Sequence, residues 1–188
     1  SYCLGVDPAR SEDSFAICVA ELGVPSKIVH AVEIQKMPFP RMAEVIEDLC
    51  DAFNIQSIYM DAGGGGLAIK DILAENNRQH RGGPILDPDD ELHQTKSGRH
   101  ILTMCNFGTE FISESNFAAL RLLEHRDLLF PSIPRAEEPN AAQEESWYTV
   151  RTMKNQMQTI EITKTPTGKH HFDVPKGQGH GKQKKDLY

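Results

Sequence analysis

Long apolar runs are missing from this 188-residue chain. None approaches the ~20 residues that a helix needs to cross a bilayer, so no membrane association is expected. Cysteine is scarce and unpatterned: Cys3, Cys18, Cys50 and Cys105 form no CxxC pair and sit among apolar neighbours. That argues against a zinc or redox motif and for buried free thiols in a reducing compartment. No leader-like segment comes first; the chain opens on a strand, as expected of a piece cut from something larger. Internal repeats are absent. Aromatics are few, and the one tryptophan, Trp147, lies in a helical stripe that reads as core rather than a base-stacking platform. Positive charge is also short, at a net −7, which excludes a general nucleic-acid coat.

The charge is unevenly spread. Residues 151–188 hold eight Lys and Arg against three Asp and Glu, a local +5, whereas residues 1–150 carry twelve against twenty-four. Such a tail is either a solvated basic segment or a phosphate-facing edge beside an acidic site.

What is present begins with two short apolar runs, Cys3 to Val6 and Phe15 to Ala20, read as adjacent strands joined by a polar turn. Lys27 to Gln35 is a third strand, making an antiparallel meander stopped by Pro38 and Pro40. Arg41 to Phe53 places Met42, Val45, Ile46, Leu49 and Phe53 at helical offsets. Gln56 to Asp61 is a buried strand, broken by Gly63 to Gly66, and Leu67 to Glu75 resumes a helix. The order β-β-β-α-β-α predicts a mixed sheet with crossover helices. Further on, Pro84 to Leu86 is a candidate strand, Asp87 to Glu91 an acidic loop, Asn106 to Arg126 a helix and Phe130 to Asn140 a loop. Gln143 to Gln158 is another helix and Thr159 to Val174 a hairpin. Lys176 to Lys182 is a Gly- and Lys-rich loop, and Lys184 to Tyr188 has the look of a first helical turn.

Asp7 and Asp61 each end a strand, and if those strands are neighbours their carboxylates share one edge. Two such acids repel unless a cation neutralises them. Oxygen-only donors suit Mg²⁺ or Mn²⁺ rather than zinc. Asp186, at the start of a closing helix, would complete a site for two ions, which clamps both oxygens of a phosphodiester displacement. Each acid also has an ordinary reading: Asp7 as a turn residue, Asp61 as a helix cap, Asp186 as a helix-start charge.

With these residues in view, the chain resembles the nuclease domain of the large terminase subunit of tailed bacteriophages, a ribonuclease H-like fold. The likeness rests on Gly5-Val6-Asp7-Pro8-Ala9, on Ile58-Tyr59-Met60-Asp61-Ala62-Gly63-Gly64, and on the tail. In the tail it rests on Phe172-Asp173-Val174-Pro175-Lys176-Gly177 and Lys184-Lys185-Asp186-Leu187-Tyr188. It implies an α/β fold with a mixed central sheet, antiparallel β1-β2-β3 plus parallel strands, flanked by helices and closed by a C-terminal β-hairpin. The whole chain, 1–188, would be one such domain with an insertion at about 87–140. The family's metal-binding acids fall on Asp7, Asp61 and Asp186, holding two Mg²⁺ or Mn²⁺ ions, whereas Asp173 falls on a position that is no ligand. The resemblance further implies cleavage of double-stranded DNA concatemers during genome packaging. Arg10, Lys176, Lys182, Lys184 and Lys185 are the candidate DNA contacts. A motor ATPase domain would precede this chain, which has no GxxxxGK[ST] loop of its own. Small terminase subunit and portal protein would be partners, in the host cell cytoplasm at the procapsid portal vertex.

Two features depart from the family. The interval from Asp61 to Asp186 is long, and Leu187 stands where a second acid is usual, leaving Glu12 or Asp13 as substitutes. His170, His171 and His180 are further candidates; adjacent histidines on a strand face opposite ways, so at most one of the first two joins any site. Rival readings are a resolvase or transposase-type nuclease of the same fold, a fragment of the actin and sugar-kinase ATPase fold, and a non-catalytic binding domain. In the ATPase fold the two phosphate loops belong to separate lobes, and 54 residues between Asp7 and Asp61 cannot contain a lobe.

Overall fold

Alternating apolar residues build the expected meander: β1 (Tyr2–Asp7), β2 (Ser14–Glu21) and β3 (Ser26–Gln35) pair antiparallel in sequence order. The structure is a computed structural model that describes residues 1–8, 14–75, 83–132, 140–164, 168 and 170–173. Helix α1 (Phe39–Ala52) starts where Pro38 and Pro40 allow it, since proline is tolerated only in a helix's first turn. It returns the chain to β4 (Ile55–Asp61), which lies parallel to β1 on the side away from β2. Helix α2 (Gly66–Glu75) follows.

The next elements are β5 (Ile85–Leu86), β6 (Arg99–His100), β7 (Leu102–Cys105), α3 (Thr109–Glu124) and β8 (Leu128–Leu129). Helix α4 (Ala141–Gln158) and the hairpin of β9 (Glu161–Lys164) and β10 (His170–Asp173) complete the described chain. The main sheet runs β7-β4-β1-β2-β3-β8, with β7 and β8 parallel to their neighbours. β5 and β6 form a small sheet of their own. Among the described residues, no helix is long and apolar enough to cross a membrane.

Strand alternation divides the sheet's two faces. Leu4, Val6, Phe15, Ile17, Val19, Ile58, Met60 and Leu102 turn one way, onto Met42 and Ile46 of α1 and Ile69 and Leu73 of α2. All of them are essentially sealed from solvent. Ala16, Ile28 and Ala31 turn the other way, onto Val150 and Met153 of α4. The Ser146 hydroxyl on α4 accepts the Ala31 amide at 3.2 Å, tying that helix to β3.

Several elements differ from expectation, among them the two-residue strands β6 and β8, which were not foreseen. β7 went unread because a run of four residues is too short for periodicity to mark it. It holds an edge of the main sheet, and with β6, α3 and β8 it lies within the stretch 87–140. α3 begins at Thr109 rather than Asn106, because Gly108 is extended and caps it. α4 begins at Ala141, where Asn140 and Gln143 exchange side chain-to-backbone bonds in a capping box. Cys50 and Cys105 are buried and Cys3 and Cys18 half-buried, all as free thiols. Trp147 is half-buried.

Candidate metal centre

β1 and β4 are parallel and pair Val6 with Met60. One residue further on, each strand ends in a carboxylate, Asp7 and Asp61. Neighbouring strands lie ~4.8 Å apart, so the two acids stand side by side at the C-terminal edge of the sheet. Both are half-buried, on the face opposite Val6 and Met60.

The turn after β4 holds Asp61 in place. Its Oδ1 accepts the Gly63 amide at 3.0 Å, and the Ala62 amide donates to the Cys105 carbonyl of β7 at 2.8 Å. The Gly66 amide donates back to the Gly63 carbonyl at 2.8 Å. Gly64 and Gly65 adopt φ of 59° and 111°, the left-handed region that favours glycine. The glycine run that breaks the strand in sequence is thus also the support of one candidate ligand.

Across the same level of the sheet, Asp61 pairs with Cys105, and Asp7 with Ala16, which in turn pairs with Glu33. Burial pushes the Cys105 thiol up, and the negative charge of Asp61 adds to it. A protonated thiol is a poor ligand, so the donors here are oxygens. Glu33 is an acid that the sequence did not single out. Only the strand register sets it level with Asp7, and the buried Ser14 hydroxyl donates to its Oε1 at 2.7 Å. Among the described residues no group of three metal-ligating side chains converges. Two carboxylates with water filling the remaining positions nevertheless suit one hard divalent ion, since Mg²⁺ sites keep several waters beside one or two carboxylates.

A cavity of about 640 Å³ opens on this face next to Asp7, between the sheet and α3 with the hairpin; Gly5, Tyr59, Phe107, Phe111 and Leu120 are among its walls. Phe107 and Phe111 stack at 5.0 Å. His170 stands edge-on to Phe117 at 5.1 Å, engaged with an aromatic ring. Asp173 ends β10. Asp186, Arg10, Glu12, Asp13, Lys176, Lys182, Lys184, Lys185 and His180 lie outside the described residues. Asp7 and Asp61 are neighbours in one sheet, in line with the spacing argument against a two-lobed ATPase.

The family model described as the terminase RNase H-like domain matches residues 4–131, from β1 to just past β8. The chain belongs to that family, and its sheet and helices are those of the ribonuclease H-like fold. Among solved structures it is similar to the large terminase nuclease from thermophilic phage G20c, at 15% identity and a TM-score of 0.58. That match covers 95% of this chain and 74% of the other. The same G20c nuclease with bound cobalt gives 16%, 0.56, and coverage of 95% and 73%. A mutant nuclease domain of the large terminase subunit of bacterial virus Sf6, solved with manganese, gives 13%, 0.53, and 92% and 77%. At such identities the likeness is one of fold. No curated protein matches the chain.

Proposed function

We propose that this chain is a metal-dependent endonuclease that cuts double-stranded DNA concatemers during phage genome packaging. The observation that carries the reading is the pairing of Asp7 and Asp61 on neighbouring parallel strands. Membership of the terminase family supports the biological setting. Cobalt and manganese in the G20c and Sf6 structures support a divalent ion.

In this reading Asp7 and Asp61 would hold one Mg²⁺ or Mn²⁺, and Asp186 would help to hold a second. When bound, such ions lower the pKa of a water for in-line attack and stabilise the leaving 3′-oxygen. Asp61 is held by the Gly63 amide, so its carboxylate meets an ion already oriented. The buried Cys105 thiol paired with Asp61 stays protonated and leaves the oxygens without competition. Arg10, Lys176, Lys182, Lys184 and Lys185 contact backbone phosphates, a contribution that weakens steeply with salt. An ATPase domain, the small terminase subunit and the portal protein are the partners, at the portal vertex in the host cytoplasm.

The test is Mn²⁺-dependent cleavage of plasmid DNA by the wild type and by Asp61→Asn. Cleavage is expected in the first and lost in the second, with cooperative unfolding preserved in both. Full activity in the variant removes Asp61 from the site, and no cleavage by the wild type with Mn²⁺ or Mg²⁺ removes the nuclease reading.

A further inference from the structure

We infer that Phe39, the first residue of α1, is a positioning residue for Asp61, acting through Gly65 and Gly66; this rests on the metal-site reading above. Phe39 lies on a different element from either acid and packs, half-buried, against the main core. Its ring presses on the turn after β4. A Cβ placed on Gly65 would stand 2.2 Å from Phe39 Cζ and 2.3 Å from Cε1. Real Cβ atoms do not approach so closely, so ring and backbone meet there with no room for a methyl.

The next residue completes the wedge. A Cβ on Gly66 would lie 1.8 Å from the Asp61 carbonyl oxygen, so α2 begins seated on the backbone of the candidate ligand itself. The Gly63 amide then fixes the Asp61 carboxylate from the other side at 3.0 Å. Residue 61 is therefore gripped at its carbonyl and at its carboxylate, and the turn making both contacts is backed by one aromatic ring. Groups that orient metal ligands from behind typically contribute 10–100-fold in affinity. Removing the ring frees Gly65, the residue whose φ of 111° sets the course of the turn.

The experiment is calorimetric titration of the folded protein with MnCl₂, with thermal unfolding measured in parallel. Phe39→Ala is expected to weaken Mn²⁺ binding about tenfold, and Phe39→Leu, which keeps apolar bulk at the turn, to recover most of it. Gly65→Ala forces a methyl against the ring and is expected to weaken binding at least as much. In the Phe39→Ala background the same change is expected to cost less, because its obstacle is gone. Wild-type affinity in folded Phe39→Ala overturns the inference, as does strict additivity of the two changes. If Phe39→Ala does not fold, equal Mn²⁺ affinity of Gly65→Ala and wild type overturns it instead. Absence of Mn²⁺ binding by the wild type is a different failure, which overturns the metal-site reading.

Discussion

The two faces of the same strands are built to different standards. Toward α1 and α2, Leu4, Val6, Ile17, Ile58 and Met60 are almost wholly buried, each with apolar neighbours on every side. One residue along each strand, toward α3, stand Gly5, Asp7, Tyr59 and Asp61, with a cavity beside them and a helix that buries none of its own residues. α3 leaves Phe111, Ile112, Leu120, Leu122 and Leu123 each more than a third exposed. A period of two lets one strand serve both ends: alternate residues hold the sheet rigid, and the residues between them are free to be acids. Rigidity on one face is what lets two like charges be held together on the other.

That contrast can be broken or sharpened experimentally. The largest effect is expected from Ile58→Ala. Truncating a side chain with no exposure on the packed face should cost about 2–5 kcal/mol, read from the shift in urea midpoint. Phe111→Ser on α3, exposed by 38%, should cost less than ~1 kcal/mol by the same measurement. A loss as large as that of Ile58→Ala would show that α3 is packed as tightly as α1. Asn140→Ala, which removes the capping box of α4, should cost about 1 kcal/mol and leave Mn²⁺ binding unchanged.

A smaller, pH-dependent effect is expected at His30 on β3, whose ring lies 6.0 Å from that of Phe53. Burial lowers its pKa below the usual 6.5, with the Glu145 carboxylate opposing. The unfolded chain then takes up the proton first. Stability from this group is therefore complete above about pH 6.5 and declines as pH falls below it. Replacing His30 with Phe should flatten that part of the curve in thermal melts between pH 5 and 7.5; an unchanged slope would assign the acid lability elsewhere.

Much of this was legible in the residues. The meander, α1, β4 and α2 follow from alternation and from the offsets Met42, Val45, Ile46, Leu49, because those elements bury one continuous face and their periodicity is clean. Asp7 and Asp61 were legible as strand ends, and their adjacency required only that β1 and β4 pair. β7 was not, since a four-residue edge strand takes its identity from β4 rather than from its own pattern. Nor was Glu33, whose level beside Asp7 depends on two successive strand registers that no local signal records. Asn140-Ala141-Ala142-Gln143 did carry a readable capping signal for α4, masked by the polar character of that helix's first turn. The role of Gly65 and Gly66 was hidden for another reason: the ring that presses on them comes from a helix some 25 residues earlier in the chain.

The order in which the central strands meet has a bearing on when the protein can first hold an ion. β1 pairs with β2, the next strand in the chain, but its other neighbour, β4, arrives only after the α1 crossover, and parallel pairing across such a connection closes late. A chain folded no further than its opening meander owns one acid of the pair. Mn²⁺ uptake during refolding should therefore lag the first β-structure and report the docking of the crossover, making the ion a clock for the assembly of this sheet.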